Sequence, residues 1–288
     1  AIFAEEAFNA TKDWLLVAGT RYEWIDLDRT IDDLNAATTT KFGQDYRSFS
    51  WRVGTVYEVI PGTSLFAQYN QAVIPITTLL LSNTARATFD LSTGRSFEAG
   101  IKTSFWKDQV VATASAYQID QDDILTRDPD NPSLTIQGGS QRTRGVEMDV
   151  AVAVNDQWRI GVNGTLMDAE FTELSDSSGN DLSGNRPPNV PNYLVNFCST
   201  YRLKAIPMSF GVGVRHVGNA YTDNANTIKI AGYTLLDASI GYDIAGGTLV
   251  LRGRNLTDEF YADWSGYSSS QVYIGAPRSF DLTYSIKF

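Results

Sequence analysis

Residues 279–288 read SFDLTYSIKF, and their alternation decides the fold. Phe280, Leu282, Tyr284, Ile286 and Phe288 share one face of an extended chain, while Ser279, Asp281, Thr283, Ser285 and Lys287 share the other. A period of two with one apolar face predicts a strand. The same pattern recurs upstream. Val146, Met148, Val150 and Val152 alternate with Glu147, Asp149, Ala151 and Ala153; Met208, Phe210, Val212 and Val214 alternate with Ser209, Gly211, Gly213 and Arg215. Leu236, Ala238, Ile240 and Tyr242 alternate with Asp237, Ser239, Gly241 and Asp243. A soluble barrel turns its apolar face inward and has no room for so wide a polar lumen. A membrane barrel requires the reverse, with lipid outside and water or a polar plug inside.

Turn signals give the spacing. Short ones fall at residues 9–13, 61–63, 107–109, 155–157, 204–207 and 246–247, separated by roughly 40–50 residues, an interval of the kind that marks repeated architecture. Between them lie long polar stretches at 29–46, 74–93, 121–140, 174–191, 219–230 and 262–276. The remaining segments predict about thirteen antiparallel strands, each near or above the ~10 residues that cross a bilayer at a tilt. Trp14, Trp106 and Trp158 each adjoin a short turn and so share one level. An indole, apolar with a single N–H, belongs at a membrane interface. Trp24 has the parity of Trp14, and ten steps of ~3.3 Å at a ~40° tilt span about 25 Å, the height of a barrel's apolar band. These four tryptophans are the expected interface belt.

Composition narrows the function. Across 288 residues, 23 Lys and Arg stand against 33 Asp and Glu, a net charge of -10, which disfavours a nucleic-acid surface. No apolar run approaches the ~18 residues of a membrane helix. Cys198 and His216 are each the only residue of their type, so thiolate clusters and zinc sites of the His/Cys type are excluded. Any Ser/His/Asp set must use His216, and no enzymatic activity is expected. Asp120, Asp122, Asp123, Asp128 and Asp130 read as a solvated acidic loop without the spacing of a calcium loop.

With these features in place, the chain resembles the C-terminal part of a TonB-dependent outer-membrane receptor, most like the ferric-siderophore receptors. Residues 3–22 (FAEEAFNATKDWLLVAGTRY) resemble the strand pair that ends in Gly-x-Arg-Tyr, here Gly19, Arg21 and Tyr22. Residues 96–102 (SFEAGIK), 143–148 (TRGVEM), 189–192 (NVPN), 232–238 (GYTLLDA), 255–258 (NLTD) and 275–278 (GAPR) follow in the family's order. Three positions depart from it: Leu91 and Ser92 stand where the family has Pro-Glu, and Thr257 where an aromatic is usual.

The resemblance implies an all-β transmembrane antiparallel barrel of which residues 1–288 are the last thirteen or so of roughly 22 strands, without the plug domain and first strands. An open sheet of an odd number of strands leaves unpaired edges that hydrocarbon does not tolerate, so the isolated chain is not expected to form a stable closed pore. It further implies uptake of a ferric siderophore, with iron held by the siderophore and no protein-bound cofactor. Its partners are the TonB–ExbB–ExbD energy-coupling complex, reached through the region absent from this chain, together with the outer-membrane assembly machinery and the bilayer. Phe280, Tyr284, Ile286 and Phe288 resemble the assembly signal. Receptors of this family hold metal chelates with loop aromatics and arginines, which nominates Tyr221, Trp264, Tyr267, Tyr273, Arg127 and Arg186. Charged residues Arg21, Glu98, Lys102, Glu147, Arg215 and Asp237 are expected to face the lumen. A passive porin, a receptor for cobalamin or haem, and a soluble β-propeller remain as alternatives.

Overall fold

The computed structural model describes residues 1–74, 89–128, 130, 135–176, 178–244, 246–266 and 271–286. Among them every regular element is a strand. Thirteen strands form one sheet, antiparallel throughout. In sheet order they are β1 (Ile2–Asn9), β2 (Trp14–Asp33), β3 (Thr38–Ile60), β4 (Thr63–Ile74), β5 (Ser92–Phe105), β6 (Val110–Asp122), β9 (Ser140–Ala153), β10 (Trp158–Glu173), β11 (Tyr193–Arg202), β12 (Met208–Val217), β15 (Tyr233–Ile244), β16 (Gly247–Arg254) and β19 (Ser279–Ile286). The six remaining strands pair two by two inside long connections: β7 (Leu125–Arg127) with β8 (Thr135–Gln137), β13 (Ala220–Tyr221) with β14 (Lys229–Ile230), and β17 (Ala262–Ser265) with β18 (Val272–Ile274). Among the described residues β1 and β19 each have a neighbour on one side only.

The apolar face carries no core. Phe280 and Leu282 are each 66% exposed, and Ile240, Ile286, Met148, Val146, Phe97 and Phe49 are exposed on the same face. In water such a continuous patch would drive aggregation; against hydrocarbon it is the stable surface. The opposite face carries Arg21, Glu98, Lys102, Glu147, Arg215 and Asp237, as alternation requires. Gly19 has a steric role there. Arg52 of β3 reaches over β2 to pair with Glu5 of β1, and a Cβ on Gly19 would stand 3.3 Å from both the Arg52 Cγ and the Glu5 carboxylate. Cys198 lies on this face between Gly161 and Gly213 of the neighbouring strands.

The polar stretch 29–46 is not a long loop. β2 and β3 stay paired from Trp14↔Tyr57 to Asp33↔Thr38, so only residues 34–37 turn. The pleat continues past Trp24 while the polarity reverses. Below, the exposed face carries Leu16, Ala18, Tyr22 and Trp24; above, it carries Asp26, Asp28, Thr30 and Asp32. Ile25, Leu27 and Ile31 then occupy the other, half-buried face, opposite the half of β3 that carries Phe42 and the buried Tyr46. The acidic stretch 120–130 also differs from a free loop, because Asp120 and Asp122 end β6 and pair with Arg142 and Arg95.

Burial is concentrated at the long-loop end. Ile124, Phe171, Leu174 and Leu182 form the hydrophobic cluster, with Phe171 1% exposed. Phe171 lies on the polar face of β10 by alternation, so these connections fold over that face at its rim.

Candidate functional site

Four long connections meet at this rim, held by side-chain amides that bind backbone. Asn189 follows the 174–188 stretch in a left-handed conformation (φ 63°), which asparagine tolerates better than most residues. Its Oδ1 accepts from the Ser265 N–H (2.7 Å) and Oγ (3.0 Å), and its Nδ2 donates to the Ser265 carbonyl (3.3 Å). The Ser265 hydroxyl also lies 3.2 Å from the Thr222 carbonyl, and the Asn189 N–H donates to the Tyr221 carbonyl (2.9 Å). Ser265 and Thr222 are fully buried. Asn185 Nδ2 donates to the Asn224 carbonyl (3.0 Å), and Thr126 Oγ1 lies 3.4 Å from Asn224 Oδ1. Connections after β6, β10, β12 and β16 are thereby one network.

Four of the six expected ligand residues form two pairs on this scaffold. Arg186 lies with its guanidinium carbon 6.0 Å from the centre of the Tyr221 ring, within cation–π range. Trp264 and Tyr273 face each other across β17 and β18 with ring centres 4.4 Å apart and planes 4° apart. Both rings remain exposed, at 40% and 38%, and so present a flat apolar surface to solvent. The Asn189–Ser265–Thr222 contacts join the two pairs, because Ser265 follows Trp264 and Thr222 follows Tyr221. Arg127 ends β7, and its side chain lies outside the described set. Tyr267 and Phe288 also lie outside the described residues. Phe280, Tyr284 and Ile286 are exposed on the apolar face of β19.

A further aromatic pair, Tyr233 with Tyr261, has its centres 4.2 Å apart, and Tyr233 Oη donates to Asp263 (3.2 Å). Burial pushes the Tyr261 phenol up, with the Asp263 charge adding to it. Hydrogen bonds from Asn180 hold the Asp176 carboxyl below the ordinary carboxylate range, and those from Ser183 do the same for Asp181. Both loop acids are therefore ionised turn anchors. Sequence reading passed over Asn226 and Ser265 and the pairing of Tyr233 with Tyr261, although the quoted GYTLLDA segment contained Tyr233. The quoted NVPN segment did contain Asn189.

At the start and in the middle of β2 the tryptophans sit on the apolar face: Trp14 donates from Nε1 to Thr55 Oγ1 (2.7 Å), and Trp24 meets Tyr22 edge-on (4.8 Å). Trp158 Nε1 donates to Ser199 Oγ (2.9 Å), and Trp106 lies in the β5–β6 turn at 71% exposure. His216 is on the same face, with Nε2 2.9 Å from Tyr193 Oη and Nδ1 2.7 Å from Thr234 Oγ1.

No group of three or more His, Cys, Asp or Glu among the described residues is arranged to hold a metal. Among the described residues the arrangement offers stacked rings, an arginine and several side-chain amides, groups suited to holding a ligand.

Residues 1–256 match the family model described as TonB dependent receptor-like, beta-barrel. The chain is 28% identical over 282 residues to the ferrichrome outer membrane transporter/phage receptor of Escherichia coli K12, covering 95% of this chain and 36% of that protein. It is 26% identical over 283 residues to the ferrioxamine receptor of Yersinia enterocolitica, covering 96% and 38%. The fold matches the crystal structure of the siderophore receptor PiuA from Acinetobacter baumannii with a TM-score of 0.82 at 22% identity, covering 98% of this chain and 42% of that one. This chain thus spans well under half the length of these relatives.

Proposed function

This chain belongs to the TonB-dependent receptor-like β-barrel family, and on that premise we propose that it forms part of the wall and outer loops of a ferric-siderophore receptor of the bacterial outer membrane. The observation that carries the reading is the joining of two ligand-type pairs, Arg186–Tyr221 and Trp264–Tyr273, by one hydrogen-bonded loop network at one rim. A metal chelate is a rigid body with apolar edges and a net charge set by its donor groups. Stacked rings take the edges, and a guanidinium takes negative charge. The apolar face meets lipid, with Trp14, Trp106 and Trp158 at one interface and Trp24 at the other. The polar face lines the lumen.

The outer membrane has no nucleotide energy source, so release of a tightly held chelate draws on the inner membrane through TonB with ExbB and ExbD. Binding and release then replace chemistry, and iron stays with the siderophore as cargo. Phe280, Tyr284, Ile286 and Phe288 would form the strand read by the assembly machinery. The test is uptake of radiolabelled ferric chelates by cells carrying the complete receptor, with and without TonB. TonB-dependent uptake that falls in Arg186→Ala and Trp264→Ala supports the reading. Equal uptake without TonB would point to a passive pore instead.

A further inference from the structure

Three carboxamides at the rim repeat one geometry, in which a side-chain amide binds both the N–H and the C=O of a single distant residue. Gln137 does so with Asp90 (2.6 and 2.7 Å), Asn189 with Ser265, and Asn226 with Arg186. Such a pair closes a ring of two hydrogen bonds and fixes the backbone it grips. A carboxamide can do this because it carries a donor and an acceptor side by side. The third pair is notable for what it grips. Asn226 Oδ1 accepts from the Arg186 N–H at 2.9 Å, and its Nδ2 donates to the Arg186 carbonyl at 2.8 Å.

Arg186 is constrained from several directions. Pro187 follows it and restricts its backbone to extended conformations. Its ring neighbour Tyr221 is set by pairing with Lys229 and by the Asn189 N–H on its carbonyl. Among the described residues Arg186 makes no ion pair, whereas Arg21, Arg52, Arg95, Arg142, Arg202, Arg254 and Arg278 each do. Its charge is available to a ligand, and its direction depends on the clamp. We propose that Asn226 is a positioning residue that aims the Arg186 guanidinium at the anionic part of the bound chelate, so that the clamp favours chelates by charge. This rests on the siderophore reading of the site.

The residue's own backbone makes the test clean. Asn226 has φ 58°, a conformation glycine adopts freely. Asn226→Gly therefore removes both clamp hydrogen bonds, together with the one from Nδ2 to the Asp223 carbonyl (3.2 Å), without backbone strain, while Asn226→Asp keeps the acceptor and loses the donor. In the complete receptor, amide exchange of Arg186 is read first, without ligand. The expected result is slow exchange in the unaltered protein and in Asn226→Asp, and exchange faster by about tenfold in Asn226→Gly.

Affinity is then measured for two probes, a trianionic ferric tricatecholate and a neutral ferric trihydroxamate. Asn226→Gly is expected to weaken the anionic probe by about three- to tenfold and Arg186→Ala by about ten- to a hundredfold, with the neutral probe changed less than about twofold. Fast Arg186 exchange in the unaltered protein overturns the clamp. Equal losses for both probes in Asn226→Gly mean a merely structural role and also overturn the proposal. If Arg186→Ala weakens the anionic probe and Asn226→Gly does not, the positioning role falls while the siderophore site stands. If neither probe binds, the siderophore reading and the charge selection resting on it both fall, and exchange alone decides whether the clamp is real.

Discussion

Asn189 and Ser265 are 76 residues apart in the chain and hold each other by three hydrogen bonds, with Ser265 fully buried. Removing the carboxamide leaves the buried Ser265 groups without these partners. Asn189→Gly should therefore lower the local opening free energy at the Ser265 amide by about 1–3 kcal/mol, read by hydrogen exchange. Asn189→Ala should cost about 1 kcal/mol more, because the left-handed φ disfavours a Cβ.

Gly275 lies against Tyr261. A Cβ there would stand 1.9 Å from the Tyr261 ring, an impossible distance. Gly275→Ala should displace that ring, separate Tyr261 from Tyr233 and return the Tyr261 phenol toward its ordinary value. Alkaline absorbance titration, with Tyr261→Phe to identify the signal, checks this. In the unaltered protein the raised phenol contributes stability below the ordinary phenol range, and that contribution is lost as pH rises through the raised value.

Asp176 accepts from the Asn180 backbone N–H at 2.7 Å and from its side-chain amide at 2.6 Å. Its depressed carboxyl works in the opposite direction to a phenol. The stabilisation it gives the turn is present above the ordinary carboxylate range and is lost as pH falls through the lowered value. Amide exchange at Asn180, corrected for the intrinsic pH dependence, should accelerate only on that descent. Asp176→Asn should remove the pH dependence.

The parallel rings of Trp264 and Tyr273 form a preformed surface. Tyr273→Ala should weaken chelate binding by about 0.5–1.5 kcal/mol beyond the area lost, whereas Tyr273→Phe should change it little, since the stack uses the ring face. Quenching of Trp264 fluorescence by a ferric chelate provides the measurement.

The wall was legible because alternation is local: five residues such as Phe280, Leu282, Tyr284, Ile286 and Phe288 declare a face without knowledge of their neighbours. The hairpin above Trp24 was not. Its composition is that of a loop, and only the pairing of Asp33 with Thr38 reveals that the pleat continues while polarity changes sides. At the site, the family resemblance nominated Arg186, Tyr221, Trp264 and Tyr273 as rings and guanidinium groups in long connections, without showing how they pair. Their pairing depends on loops closing over long sequence separations. Asn226 and Ser265 carry no local sign of that closure, because an asparagine in a polar stretch is ordinary.

The central claim is that the apolar face meets lipid and that the lipid ends at Trp24. Nitroxide labels placed singly along β2 of the complete receptor in a bilayer test it most directly, through collision with oxygen and with a water-soluble nickel chelate. Labels at Leu16, Ala18, Thr20 and Tyr22 should collide with oxygen, and labels at Asp26, Asp28 and Thr30 with nickel. Nickel access throughout, or oxygen access at Leu15 and Val17 in place of Leu16 and Ala18, would contradict the account.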